Sequence, residues 1–245
     1  MDQSQIWNDA AAQRYDTPGV GMFAPDLLAA TVTCLKALAA GGPALEFAIG
    51  TGRVAIPLLA AGVPVAGIEL SGPMLAQLRT KADATTIPVV IGDMATTRVP
   101  GQFTLVYLVY NTIANLLTGA EQAACFRNAA RHLAPAGYFV IELWIPQLPP
   151  PPPAPQAVVE LSMPGYLLVD VFDVPTQQVV SHHVWFDDTG AAQVFQMPHR
   201  FILPAELDRM ADAAGFDLSH RHADWQGAAF DAASRAHVSV YRLRG

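Results

Sequence analysis

The sequence predicts an α/β protein with a parallel main sheet covered on both faces and a small antiparallel sheet inserted late in the chain. Three observations predict it. Between residues 26 and 144, apolar runs alternate with helical stretches, and the runs are continuous rather than alternating, the pattern of strands buried on both faces. A glycine turn, Gly50-Thr51-Gly52-Arg53-Val54-Ala55, follows the first run in the pattern G-x-G-x-x-[GA]. After a proline-rich stretch at 146–156 the helices stop, and four β-rich pieces follow one another.

The elements read in order. A helix is predicted over 26–40, capped by Asp26 and stopped by Gly41-Gly42. "ALEFA" (44–48) is the first strand, and "RVAIPLLAAG" a helix ending at Gly62 despite Pro57. "VPVAGIEL" (63–70) is the second strand, after which Ser71 caps the helix "GPMLAQLRTKA". "IPVVIGD" (87–93) and "FTLVYLV" (103–109) are the third and fourth strands. Thr118-x-x-Glu121 is a capping box opening a helix to about Leu133, and "GYFVIELW" (137–144) is the fifth strand. The connector "PQLPPPPPAPQ" reads as an extended, stiff spacer. Pro204 opens a last helix that stops at Gly215, and "DLSHRHADW" and "HVSVYRL" close the chain as strands. The predicted division is a main domain of 1–145 and 204–245, with a connector and β subdomain over 146–203.

Composition excludes several function classes. The chain has 245 residues, 52% hydrophobic and 14% charged, which supports a sizeable core and argues against global disorder. A net charge of −7 and only two lysines, Lys36 and Lys81, argue against a nucleic-acid partner. No apolar run reaches the ~18 residues of a membrane span, and the polar N-terminus is no signal peptide, so a cytoplasmic protein with no membrane partner is expected. Cys34 and Cys125 lie in apolar helical patterns and read as buried thiols rather than as a disulfide or metal site.

In such a fold the site lies at the carboxyl ends of the strands, near the switch point beside the first. Glycines at 50 and 52 allow a tight turn and a close approach to a ligand. A pyrophosphate would conflict with Glu46, just before the loop, whose carboxylate suits a cation. Glu69, ending the second strand seventeen residues after Gly52, can accept both hydroxyls of a ribose. Asp93 after the third strand can accept from an adenine amino group, and Met94 can pack on the ring. The carboxylates thus ask for a cation, a ribose and an adenine without phosphate, a combination found in S-adenosylmethionine.

The motifs "LEFAIGTGR", "GIELSGPML", "IGDM", "FTLVYLVYNTIANL" and "RHLAPAGYFVIELW" make the chain similar to class I S-adenosylmethionine-dependent methyltransferases over roughly 10–145 and 204–245. The resemblance implies a Rossmann-like, doubly wound, seven-stranded sheet with an antiparallel last hairpin. It implies S-adenosyl-L-methionine as cofactor and S-adenosyl-L-homocysteine as product. It places Glu46, Ala48, Gly50, Gly52, Glu69, Leu70, Met74, Asp93, Met94, Val109 and Tyr110 around the cofactor. Two positions depart from the family pattern: Ala48 replaces the usual first glycine of the loop, and "PAG" replaces "PGG". Within the class, the layout resembles small-molecule enzymes such as sugar N,N-dimethyltransferases and glycine N-methyltransferase-like proteins. In these an N-terminal tyrosine folds over the cofactor. Tyr15 is the matching position, and an ordinary packing aromatic is the alternative.

The expected reaction is transfer of a methyl group to an amine or hydroxyl of a small-molecule acceptor by in-line displacement. Tyr110 can shield the sulfonium and Asn111 can position the acceptor. Glu142 and Trp144 are candidate acceptor contacts, and Glu142 is equally a structural carboxylate. His182 and His183 point to opposite faces, so at most one can act as a base, and no metal set is completed by either or by His199. Trp185 and Phe186 in the inserted sheet suit either an apolar acceptor or a homodimer contact. Two other functions stay open at this level: a nicotinamide-dependent oxidoreductase, and a non-catalytic S-adenosylmethionine-binding module.

Overall fold

The computed structural model describes residues 6–148 and 156–245, so the proline run 149–155 of the predicted connector lies outside the described residues. The chain opens with α1 (Asp9–Tyr15), whose first turn is capped by the Asn8 side chain. The main body then alternates: α2 (Pro25–Ala39), β1 (Ala44–Phe47), α3 (Ala55–Ala60), β2 (Val65–Glu69), α4 (Gly72–Arg79), β3 (Val89–Ile91), β4 (Phe103–Leu108), α5 (Gly119–His132) and β5 (Leu133–Trp144). Ser71 caps α4 by accepting from the Met74 N–H, and Thr118 and Glu121 form the reciprocal capping box of α5. The predicted Asp26 cap is not the one used. Ala24 is the cap residue and Pro25 occupies the first helical position, where a missing N–H leaves no bond unmade. Pro57 is tolerated for the same reason, since α3 begins only two residues before it.

The main sheet has seven strands in the order β10-β11-β5-β4-β1-β2-β3, where β10 is Phe216–His222 and β11 is Ala236–Leu243. Strands β1 to β5 pair in parallel, and β11 runs antiparallel to β5 and β10. The chain steps outward from β1 to β3 and then returns to the other side of β1 at β4. The loops after β1 and β4 therefore diverge and open a crevice at the carboxyl edge. Both sheet faces are buried, as the continuous apolar runs require. Phe47, Phe126, Phe139 and Phe216 pack on the side of α5, and Leu35, Leu58, Leu78 and Tyr107 on the side of α2 to α4. Each such fully buried side chain contributes about 1.5–3 kcal/mol.

The second sheet is an antiparallel meander of β6 (Gln156–Met163), β7 (Tyr166–Asp173), β8 (Gln178–Phe186) and β9 (Ala192–Arg200), followed by α6 (Pro204–Ala213). Arg200, the last residue of β9, pins this sheet to the main body. Its buried guanidinium donates to Gln122 Oε1 on α5 at 2.5 Å, to Gln177 Oε1 at 2.6 Å and to Glu206 Oε1 in the first turn of α6 at 2.7 Å. Gln122 returns a bond to the Arg200 carbonyl at 2.9 Å. Removing one member leaves the others buried and unpaired. Arg200→Ala is therefore expected to lower the unfolding free energy by about 3 kcal/mol, read from urea denaturation. A loss under ~0.5 kcal/mol, the size of an ordinary surface change, would show that the anchor is dispensable.

Candidate functional site

A cavity of about 340 Å³ opens at the carboxyl ends of β1, β2 and β3. Its floor is the turn after β1. Gly50 and Gly52 have φ of 58° and 81°, and a Cβ on Gly52 would come 2.4 Å from Leu78 Cδ1, so glycine is required twice over there. Ala48 also lies in the left-handed region, at φ 51°. The alanine therefore adopts the backbone for which a glycine would be the easier choice.

Glu69 holds the cavity open. Its Oε2 accepts the Gly50 N–H and its Oε1 the Ser71 N–H, each at 2.7 Å. Burial raises its pKa, and the N–H donors from Ser71 and Gly50 pull it back. A carboxylate has acceptor capacity for about four bonds, so a ligand can still be served. Asp93 leaves β3 into a turn in which Oδ1 accepts the Ala95 N–H at 2.7 Å. Leu70 and the buried Met74 and Met94 supply apolar walls. The lining holds three carboxylates, of Glu69, Asp93 and Glu121, and no basic side chain. Asn115 adds an acceptor that the sequence reading missed, a buried Oδ1 with no hydrogen-bond partner.

The N-terminal segment closes over this cavity, with Trp7 and Tyr15 in the lining. Asp16 fastens it: Oδ1 accepts from Thr51 Oγ1 and Oδ2 from Lys81 Nζ, both at 2.6 Å. Ser71 Oγ donates to the Trp7 carbonyl at 2.5 Å. Tyr15 packs edge-on to Trp7 and Phe23, and burial raises the pKa of its phenol while the Arg53 charge opposes the rise.

Glu46 lies behind the cavity rather than in its lining. Tyr107 donates to its Oε2 at 2.9 Å. Burial pushes its carboxyl up to about 8, against the Tyr107 bond and the Arg53 charge. Arg53 donates to the Met22 carbonyl at 3.0 Å and lies 5.4 Å from the Tyr110 ring centroid, a cation–π contact.

After β4 the backbone is strained. Tyr110 and Asn111 are consecutive left-handed residues, at φ 57° and 60°. Such conformations persist only when the surroundings over-determine them, and they cluster at functional sites. Glu142 does the holding. Its Oε2 accepts the Tyr110 N–H and its Oε1 the Trp225 indole N–H, both at 2.7 Å, and its carbonyl accepts the Asn111 N–H at 3.1 Å. These bonds describe the scaffold role, one of the two predicted for Glu142, with one bond on each carboxylate oxygen. Val109 is buried beneath, its carbonyl accepting from Thr112 Oγ1.

A second cavity, of about 380 Å³, lies between the inserted sheet and the ends of β4 and β5. Asn111 and the half-exposed Trp144 form one wall, and Trp144 packs edge-on to Tyr110 at 5.0 Å. Asp170 on β7 and His199 on β9 form the other. Neither predicted base reaches this space. His183 is engaged by the Tyr166 hydroxyl at 2.6 Å and stacked on Trp185, and His182 bonds the Val180 carbonyl from the opposite face. No helix among the described residues is long and apolar enough to cross a membrane.

Comparison with known proteins gives a consistent result. A family described as "Methyltransferase domain" matches residues 44–137. The dTDP-3-amino-3,4,6-trideoxy-alpha-D-glucopyranose N,N-dimethyltransferase of Streptomyces venezuelae is 32% identical over 100 residues, 41% of this chain and 41% of that relative's length. The CcbJ methyltransferase of Streptomyces caelestis superposes over 100% of both chains with a TM-score of 0.87 and 33% identity. The S-adenosylmethionine-bound amino pentose methyltransferase CalS10 of Micromonospora echinaspora covers 96% of this chain and 95% of its own at 0.68 and 21%, a likeness of fold. With 33% identity to a methyltransferase over the full length of both chains and the seven-stranded sheet in place, the chain belongs to the class I S-adenosylmethionine-dependent methyltransferases.

Proposed function

We propose that the chain methylates an amine of a small, sugar-like acceptor, with S-adenosylmethionine in the first cavity. The observation that carries this reading is the lining of that cavity: acceptor groups of Glu69, Asp93 and the unpartnered Asn115 Oδ1, with no basic side chain. A nucleoside with two ribose hydroxyls and an exocyclic amino group donates hydrogen bonds and suits such a set. A dinucleotide's phosphates would meet three carboxylates and no basic side chain, which argues against the oxidoreductase alternative. The relatives' names, a dimethyltransferase of an amino sugar nucleotide and an amino pentose methyltransferase, support an amine acceptor over a hydroxyl.

In this reading Glu69 receives the ribose hydroxyls and Asp93 the adenine amino group. Met74, Met94 and Leu70 flank the ring, and Ala48, Gly50 and Gly52 allow the backbone to approach. Tyr15, Val109 and Tyr110 serve the methionyl end, and Glu46 stays behind the cavity on Tyr107. When bound, S-adenosylmethionine supplies a methyl group already activated by its sulfonium. The chain's part is to orient and to exclude water: Tyr15 and Trp7 cover the cavity, and Tyr110, Asn111 and Trp144 present the acceptor from the second one. Orientation of this kind is worth about 7–11 kcal/mol at best. The unit over 146–203 is read as the acceptor-covering subdomain.

Calorimetric titration with S-adenosylmethionine, S-adenosylhomocysteine and NADH in parallel tests the reading. Binding of the first two alone is expected, and binding of NADH alone would overturn it. Asp93→Asn keeps the Oδ1 turn bond but replaces the free oxygen by a donor. It is expected to weaken S-adenosylmethionine binding by about 1–3 kcal/mol, and unchanged affinity would remove Asp93 from the adenine.

Glu46 gives a pH-dependent prediction. Its folded pKa of about 8 exceeds its ordinary 4.5. The stability this shift contributes is fully present below pH 4.5 and is lost as pH rises through about 8. Glu46→Gln keeps an acceptor for Tyr107 and removes the titration. The stability of the variant relative to wild type is expected to rise between pH 5 and pH 8 by on the order of a few kcal/mol. Thermal unfolding at both pH values reads this, and parallel profiles would refute the assignment.

A further inference from the structure

The wall of the second cavity carries two unsatisfied groups that the proposed function does not use. Asp170 Oδ1 and His199 Nδ1 are buried and have no hydrogen-bond partner. A buried polar atom left unpaired costs about 1–3 kcal/mol, and folded proteins keep few of them. Two lining one cavity call for a ligand that satisfies both.

Strand register explains why they converge. Asp170 pairs with Ser181, Phe172 with Val179, and Val179 with His199. Directly paired residues share a face, as do residues two apart on one strand. Asp170, Phe172, Val179, Ser181 and His199 therefore all look into the cavity, and all line it. The floor there is apolar, with Phe172 packed on Phe201 at 6.2 Å. Glu160 of β6 joins from the bulge beside Val159 and Leu161.

The electrostatics select a class of ligand. Burial raises the pKa of the Glu160 carboxyl, and the Asp170 charge raises it further, so an added cation relieves both groups. Burial and the neighbouring His183 hold His199 down to about 4, leaving a neutral imidazole with one donor and one acceptor nitrogen at neutral pH. An anionic group would be repelled by two carboxylates. A metal ion lacks ligands, because no set of three His, Cys, Asp or Glu residues able to hold one occurs among the described residues. An ammonium group carries three donors and one positive charge. It meets the Asp170 oxygen, the Glu160 carboxylate and the lone pair of a neutral imidazole. After one proton passes to solvent, the neutral amine keeps two donors for Asp170 and His199 and has its lone pair free for the methyl. Arg235 at the exposed rim is the remaining charged group in the lining, and Tyr166 is taken up by His183.

We infer that Asp170 and His199 form the receptor for the acceptor's amine, with Asp170 as its counter-charge, so that this wall selects an amine over a hydroxyl. The inference rests on the amine-methylating reading and assigns its specificity to two residues outside the cofactor cavity. Asn111 and Trp144 face the pair across the same space.

Histidine-labelled protein tests it by NMR, with glucosamine as a pyranose bearing the amine and glucose as the control lacking it. The His199 resonances are assigned by their absence in His199→Gln. Millimolar glucosamine is expected to shift His199, glucose is not, and Asp170→Asn is expected to weaken the glucosamine response at least tenfold. No His199 shift, equal shifts with both sugars, or an undiminished response in Asp170→Asn would each overturn the inference. The wild-type comparison of the two sugars stands even if the variant folds poorly. Calorimetry with S-adenosylmethionine on the same samples separates the two claims. Absent cofactor binding refutes the methyltransferase site, and intact binding with a silent His199 refutes only the amine receptor.

Discussion

The first cavity depends on one carboxylate bonded to two loops. Glu69 joins the turn after β1 to the turn after β2 by accepting the Gly50 and Ser71 N–H groups. The Ile49 N–H adds a backbone bond to the Ile68 carbonyl at 3.0 Å, and Glu69 carries the link on into the turns themselves. The first is built from left-handed residues that favour no regular partner, and the second must present Ser71 as the cap of α4. A charged acceptor makes stronger bonds than a neutral one, and the surrounding burial keeps water from replacing it. The shape of the site is thus stored in a carboxylate that is also available to a ligand.

A second brace of the same kind operates on the other side of β1. Glu142 holds the left-handed pair Tyr110 and Asn111 by accepting one backbone N–H through its side chain and another through its carbonyl. Trp225 fixes the remaining oxygen. The strain of two consecutive left-handed side-chain-bearing residues is thereby matched by charge-assisted bonds in a partly buried setting. The result aims the Tyr110 ring at Trp144, in the wall of the second cavity, and at Arg53. Arg200 performs the corresponding task at a larger scale, fixing the inserted sheet to the helix Gly119–His132 and to Glu206.

What the sequence made legible follows from locality. The capping box at Thr118, the Ser71 cap, and the carboxylates ending β2 and β3 were all readable, because each acts within a few residues of a strand or helix end. Asp26 was misread as a cap because Pro25 opens the helix one residue before it, which moves the cap position back to Ala24. Glu46 was readable as a buried carboxylate, but its partner Tyr107 lies on the neighbouring strand, and pairing across a parallel sheet leaves no local mark. The commitment of Glu142 to Trp225 was hidden for the same reason, with the partners 83 residues apart. Asp170 carries a faint signal, a lone acid within the apolar stretch Tyr166–Phe172, but which face it takes is set by the meander's register. His199 is indistinguishable in sequence from His182 and His183. Only the structure separates the engaged rings from the one whose nitrogen is left open.

The two cavities differ in how their polar groups are satisfied. In the first, Glu69 and Asp93 are each bonded by backbone before any ligand arrives, so the fold itself stabilises the arrangement. In the second, the acidic and imidazole groups of the inserted sheet have no such support, and the sheet tolerates the deficit through Arg200 and the aromatic floor. A site whose ligand is shared across a family can be built into the backbone, because every member needs the same geometry. A site for a particular acceptor is better carried by side chains on a separate sheet, where a substitution alters selectivity without disturbing the turns that line the first cavity. The separation also explains why the inserted sheet holds exposed apolar residues such as Val159, Trp185 and Phe186. With its inner face given to the cavity and only four strands, it has little interior of its own in which to bury them.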